Sequence, residues 1–193
     1  MGIIRKDFKY KVIKNFLTQE EIDLAKKYFI MKHRVNLTEF DERQMASSTC
    51  DSYWYGDPLA ESLLLTKLKK MQEECGLELN PTYAFARVYT YLATLDKHTD
   101  RPSCEISVTV MIGSSGETWP IYIDGNEFNL DPGDAAIYLG CEVEHWREEF
   151  QGDWHNQIFL HYVDKNGPYA NLIADERSFW GITKENEKGK LCI

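Results

Sequence analysis

The sequence predicts an α+β chain in which helices flank a β-sandwich or barrel. Apolar residues recur at helical spacing in two segments before Gly76. Between Tyr83 and Val163 the pattern changes to six short runs rich in β-branched and aromatic residues, and turn residues separate them. A chain of 193 residues is expected to form a single domain. Residues 1–80 would form a mainly helical flank with a long loop, 81–165 the β core and 166–193 a tail.

The elements follow in order. Tyr10 to Ile13 reads as a short strand. Thr18-Gln-Glu-Glu21 has the form of a capping box, in which the threonine hydroxyl and the glutamate carboxylate each accept from an orphan N–H. Ile22, Ala25, Tyr28 and Phe29 then mark an amphipathic helix to about Met31. The polar stretch from Asn36 to Asp51 predicts a loop. Asp57-Pro58 opens a second helix, with Leu63, Leu64, Leu68 and Met71 on its apolar face and Gly76 as its stop. The expected strands are Tyr83–Tyr91, Cys104–Ile112, Thr118–Ile123, Glu127–Leu130, Ala135–Leu139 and His155–Val163. Beyond Asp175 the polar tail carries Phe179 and Trp180, which would dock back on the body.

Composition narrows the function classes. A formal net charge of −9 gives no general attraction to nucleic acid or anionic membrane, so neither is expected as a partner. No apolar run approaches the roughly 20 residues needed to span a bilayer, and the first residues lack signal-peptide character. Five scattered cysteines without a CxxC pair fit reduced thiols, so a soluble, cytoplasmic protein is expected.

Four of the five histidines fall in the β region, and two features there carry chemistry. In LDKHTDRPSCEISVTV, His98 and Asp100 lie two apart at the mouth of a strand. Alternate side chains of an extended chain point the same way, so both can converge on one point. Imidazole with carboxylate suits Fe(II), Zn or Mn. A third ligand must come from elsewhere. His145 follows the Pro132-Gly133 turn and its strand, while His155 and His161 compete for the role from one strand face that they share with Gln157 and Phe159.

These residues resemble the prolyl-hydroxylase-like branch of the Fe(II)/2-oxoglutarate-dependent dioxygenases. The parallels are the NFLTQEEID opening, the tyrosine-bearing RVYTYLATLDKHTD, the Gly-Asp turn before an apolar strand and the distal histidine. The resemblance implies a double-stranded β-helix, a jelly-roll or cupin-like barrel, with His98, Asp100 and His145 as iron ligands and catalytic centre. Fe(II), 2-oxoglutarate and O2 would be its cofactors. A peptide or small molecule would be its substrate, and the reaction hydroxylation of a C–H bond, foremost of a prolyl residue or free amino acid. A carboxylate ligand at Asp100 also argues for hydroxylation over halogenation.

Tyr89 matches the tyrosine that hydrogen-bonds 2-oxoglutarate, with Tyr91 the next candidate. The chain departs from the family in two places. Leu92 stands where a glycine usually precedes the first ligand by six residues, and Trp154 and His155 stand nine and ten residues after His145, where a basic residue normally binds the far carboxylate of 2-oxoglutarate. His155 with Gln157, Arg87 and Arg147 are the candidates for that missing cation. Arg101 could pair with an anionic substrate or with a carboxylate at the barrel rim. Trp119 and Tyr122 could line the entrance, and the segment from Asn36 to Tyr55 could cover the substrate. Two other readings stand beside this one: a non-oxidative cupin-like Zn or Mn enzyme of isomerase type, and a metal-free β-sandwich binding module.

Overall fold

The structure, a computed structural model, describes residues 8–39 and 50–182. Among the described residues, ten strands form two antiparallel sheets, with three helices packed on the larger sheet. In chain order the elements are β1 (Tyr10–Ile13), α1 (Gln19–Glu39), β2 (Ser52–Tyr55), α2 (Pro58–Thr66), α3 (Leu68–Cys75), β3 (Leu79–Thr90) and β4 (Leu95–His98). They continue as β5 (Ile106–Ser114), β6 (Ile121–Ile123), β7 (Asn126–Phe128), β8 (Ala135–Leu139), β9 (His145–Arg147) and β10 (Trp154–Asp164).

Thr18 and Glu21 close the capping box reciprocally. The Glu21 N–H donates to Thr18 Oγ1 at 3.3 Å and the Thr18 N–H to Glu21 Oε2 at 2.8 Å. The helix then runs past Met31 to Glu39, which corrects the expected loop from Asn36. Its buried stripe continues as His33 and Asn36, so the face persists after its hydrophobicity has ended. The expected second helix is two. The Asp57 carboxylate caps α2 through the Leu59 and Ala60 N–H groups, and Lys67, at ψ −4°, breaks the chain into α3. Gly76 ends α3 in the left-handed conformation at φ +63°, where a Cβ would be strained.

The six-stranded sheet has the order β1-β8-β5-β10-β3-β2, and the four-stranded sheet β4-β9-β6-β7. Period-two alternation sorts the larger sheet into two faces. Ala84, Ala86, Val88, Val108, Val110, Ile158 and Leu160 join the core cluster beneath the helices. The alternate positions Tyr83, Phe85, Tyr89, Ser107, Thr109, His155, Gln157, Phe159 and His161 form the other face. That face meets the smaller sheet, where the Tyr138 ring lies 4.5 Å from His145. An inner face this polar is the first sign that the space between the sheets holds more than packing.

Several expected strands shift. Cys104 belongs to a 3-10 turn, Pro102–Cys104, and its strand begins at Ile106; the segment from Thr118 forms a strand only over Ile121–Ile123. β2, β4 and β9 lie outside the expected strand set. The tail docks through Trp180, which packs on the core, whereas Phe179 is half exposed.

Candidate metal centre

Short-range sequence places His98 at the end of β4 and His145 at the start of β9. The antiparallel register between these strands sets the two histidines directly opposite each other. Their ring centroids are 4.3 Å apart, and Asp100 Oδ1 lies 3.5 Å from each Nε2. Two bonds of about 2.1 Å at right angles would hold their donors ~3 Å apart, so the three groups fit one octahedral cation. His98 Nδ1 is 2.6 Å from the Asp96 carbonyl and His145 Nδ1 is 3.0 Å from the Val143 carbonyl. Each Nδ1–H therefore donates to backbone, and each Nε2 lone pair faces the third ligand.

Asp100 is held from behind. Its N–H donates to the Gly140 carbonyl at 2.8 Å, and its Oδ2 accepts from the Ser107 hydroxyl at 2.7 Å. Ser107 Oγ is also 3.0 Å from His161 Nδ1. Burial raises the Asp100 pKa, but the His145 and His98 rings oppose it and hold the carboxyl well below the usual range. It is an anion with both oxygens engaged. A Cβ on Gly140 would run into the Cys104 carbonyl oxygen and come within 2.5 Å of Asp100 Oδ2, so only glycine admits the turn and its carboxylate here. Asp100, Cys104 and His161 form a second grouping of donor atoms. Burial pushes the Cys104 thiol well up, and its Sγ is 3.0 Å from the Tyr83 hydroxyl. A protonated thiol is a poor ligand, and the imidazole pair offers the better donor set.

The three candidate anion binders separate clearly. Arg87 is committed: Nε and Nη2 donate to Asp51 Oδ2 at 3.1 and 2.5 Å, and Asp51 is fully buried. His155 is 2% exposed, and burial together with the Arg147 charge pushes its pKa well down, so the ring is neutral. Its Nε2 is 2.9 Å from Gln157 Nε2 and its Nδ1 has no partner; Gln157 Oε1 accepts from Thr109 at 3.3 Å. Arg147 is different. It is 2% exposed, stacks 4.7 Å over Trp119 and donates through Nη1 to the Trp119 carbonyl, but its Nε has no partner. Burial lowers its pKa to about 10, which still leaves it charged at neutral pH. Among the described residues no acidic side chain forms an ion pair with it.

The remaining predicted residues divide. Tyr89 is buried beneath the Arg87 guanidinium, 4.1 Å away, with its ring 4.8 Å from Trp119. Tyr91 lies just past β3 and is 55% exposed, so it does not share that interior. Trp119 is buried among Tyr89, Phe150 and His155. Tyr122 points away from the buried Ile121 and Ile123. It stacks on Trp146 at 5.1 Å and donates to Glu127, which places it on the outer face of the smaller sheet and away from any interior entrance. Arg101 forms a two-bond fork with Asp175 at the rim. Of the segment expected to cover the substrate, residues 36–39 belong to α1 and 52–55 to β2, and 40–49 lie outside the described residues. Sequence reasoning passed over Ser107, Tyr138 and Asp175. A tyrosine inside the apolar run AAIYL was the available signal for Tyr138, since a buried hydroxyl needs a polar neighbour.

No protein-family model matches the chain, and no curated protein does. Solved structures match in fold. A Pseudomonas putida prolyl-4-hydroxylase superposes with a TM-score of 0.59 at 15% identity, covering 82% of this chain and 94% of its own. The viral collagen prolyl hydroxylase of Paramecium bursaria Chlorella virus-1, solved with 2OG, has a TM-score of 0.63 at 11% identity, covering 83% and 98%. A 2OG-Fe(II) oxygenase family oxidoreductase of Burkholderia pseudomallei has a TM-score of 0.61 at 13% identity, covering 88% and 90%. The chain has the fold of these oxygenases, prolyl hydroxylases among them.

Proposed function

We infer that this chain is a non-haem Fe(II) oxygenase that consumes 2-oxoglutarate and O2 and hydroxylates a C–H bond. The facing pair His98 and His145, with Asp100 Oδ1 equidistant from both, is the observation that carries this reading. On this reading the two sheets are the halves of a double-stranded β-helix and the three residues hold iron. Fe(II) held by His98, Asp100 and His145 would supply the oxidative chemistry with a 2-oxo acid and dioxygen.

The protein's part is positional. The Nδ1–H bonds of His98 and His145 keep both rings in the ligating tautomer, and the Ser107 hydroxyl leaves Asp100 Oδ1 to face them. Arg147 is the proposed partner of the far carboxylate of 2-oxoglutarate. A buried guanidinium with an open Nε calls for an anion, and Arg87 and His155 are respectively neutralised and uncharged. Its place differs from the family's usual position, because His145 and Arg147 lie two apart on one strand and so share its face. Tyr89 and Gln157 would complete the cosubstrate wall. Phe85, Phe159 and Tyr53 form a part-buried aromatic run, with centroids 5.9 and 6.1 Å apart, suited to a prolyl ring or the side chain of an amino acid.

The test is anaerobic loading with Fe(II) and 2-oxoglutarate followed by O2. Succinate formation that disappears in His98→Ala is the expected result. A folded, iron-loaded protein that forms no succinate, with or without peptidyl-proline or free amino acids, would overturn the assignment.

A further inference from the structure

The tail enters the neighbourhood of the metal-binding turn by an unusual backbone path. Ala174, Asp175 and Glu176 have φ values of 51, 54 and 61°, three consecutive non-glycine residues in the left-handed region. L-residues adopt this conformation singly and at a cost, so tertiary contacts must over-determine it. Those contacts centre on Asp175. Its carboxylate accepts from Arg101 Nη1 and Nη2, both at 2.8 Å, from Ser103 Oγ at 2.6 Å, and from the Tyr55 hydroxyl. The Asp175 side chain is 6% exposed.

All but one of those donors belong to the turn that follows Asp100. Arg101 is its immediate neighbour, and the Cys104 N–H closes the turn on the Arg101 carbonyl at 2.8 Å. The turn is gripped from its other side by Thr82, whose hydroxyl donates to the Ser103 carbonyl at 2.6 Å. Ser107 Oγ, in turn, is 3.1 Å from the Cys104 carbonyl and 2.7 Å from Asp100 Oδ2. The path from Asp175 to the carboxylate of Asp100 therefore runs through short polar contacts and the backbone of the turn between them. Outside the turn, the tail is fixed independently by Arg177, which pairs with buried Glu61.

We propose that residues 173–178 are a clamp on the metal-binding turn, in which Asp175, acting through Arg101 and Ser103, positions Asp100 and raises the affinity for a divalent cation. The proposal rests on the reading of His98, Asp100 and His145 as metal ligands. Arg101 is then a positioning residue and leaves no free guanidinium for substrate. Because coupling is reciprocal, a bound cation must also stabilise the docked tail.

Mn(II), titrated into the apo 193-residue chain and followed by the EPR signal of the free ion, tests both layers separately. If the wild type binds no Mn(II), the metal reading itself fails. If it binds, Asp175→Asn is expected to weaken Mn(II) by about tenfold, the lower end of what loss of a ligand-supporting contact does. Amide exchange at residues 173–178 should slow on adding Mn(II) to the wild type and not to the variant. Tyr162→Phe removes the buried hydroxyl that donates to the Leu64 carbonyl on the helix-covered face of the larger sheet, opposite the turn, and serves as the destabilised control. Unchanged Mn(II) affinity in a folded Asp175→Asn protein would overturn the clamp. So would an equal loss of affinity in Tyr162→Phe, since affinity would then follow global stability. Should Asp175→Asn not fold, Ser103→Ala removes one of the bonds and carries the same comparison.

Discussion

Arg147 sets a stability cost against a binding role at a single residue. A buried charge without a counter-ion is expensive, and replacing it by an apolar side chain of similar length relieves that cost. Arg147→Met is therefore expected to leave the melting temperature of the apo protein unchanged or raised. It should also raise the KM for 2-oxoglutarate about 30-fold or more, from the ~2 kcal/mol or greater loss typical of removing one partner of a buried charged pair. Arg87→Met should do the reverse. It strands the fully buried Asp51 carboxylate, so the melting temperature falls sharply while KM changes far less. Thermal melts paired with succinate assays distinguish the two arginines. His161 gives a pH signature at the same scale. Burial lowers its pKa from 6.5 to about 4, so the unfolded chain binds the proton more readily. Its contribution to stability is present above pH ~6.5 and is lost as the pH falls towards 4. Melting of the apo protein across that window should show the loss, and His161→Gln should reduce it, leaving the part that comes from buried His155.

Elements decide how these residues meet. β4 and β9 are four and three residues long, too short for alternation to announce them, yet their pairing is what sets His98 opposite His145. Gly140 lies in the connection that follows β8, against Asp100. Gly140→Ala drives a methyl group into the Cys104 carbonyl as well as the Asp100 carboxylate, and is expected to lower the melting temperature and to weaken Fe(II) or Mn(II) binding, measured by titration, together. Asp57 is the opposite case. It caps α2 and accepts from Tyr28 and Lys32, so it joins α1 to α2 well away from the metal centre. Asp57→Ala should cost about 1 kcal/mol or more in chemical denaturation and leave metal affinity intact. Capping chemistry made both helix starts legible in the chain. The end of α1 was not, because His33 and Asn36 continue its buried stripe with polar side chains. The break at Lys67 was not legible either, since apolar residues keep helical spacing across it.

For the whole molecule, the proposed cation would tie the smaller sheet to the turn after β4 and, through Asp175, to the tail. Removing it with a chelator should lower the melting temperature, and restoring it at about 100 times its Kd should return roughly 2.7 kcal/mol. If the apo and loaded proteins melt together, the proposed ligand set does not bind in the native state. The sequence by itself determined the class of the fold, the helix starts, the longer strands and the small set of histidines and carboxylates available for chemistry. Those properties depend on spacing and residue type over a few positions, and they persist whatever the chain does elsewhere. Only the tertiary structure decided which cation remains unpaired. Arg87 is neutralised by an aspartate 36 residues away, His155 loses its proton to burial, and Arg147 keeps its charge with no acidic side chain paired to it among the described residues. Charge compensation is a long-range property of the folded sheets, and no local pattern in the chain encodes it.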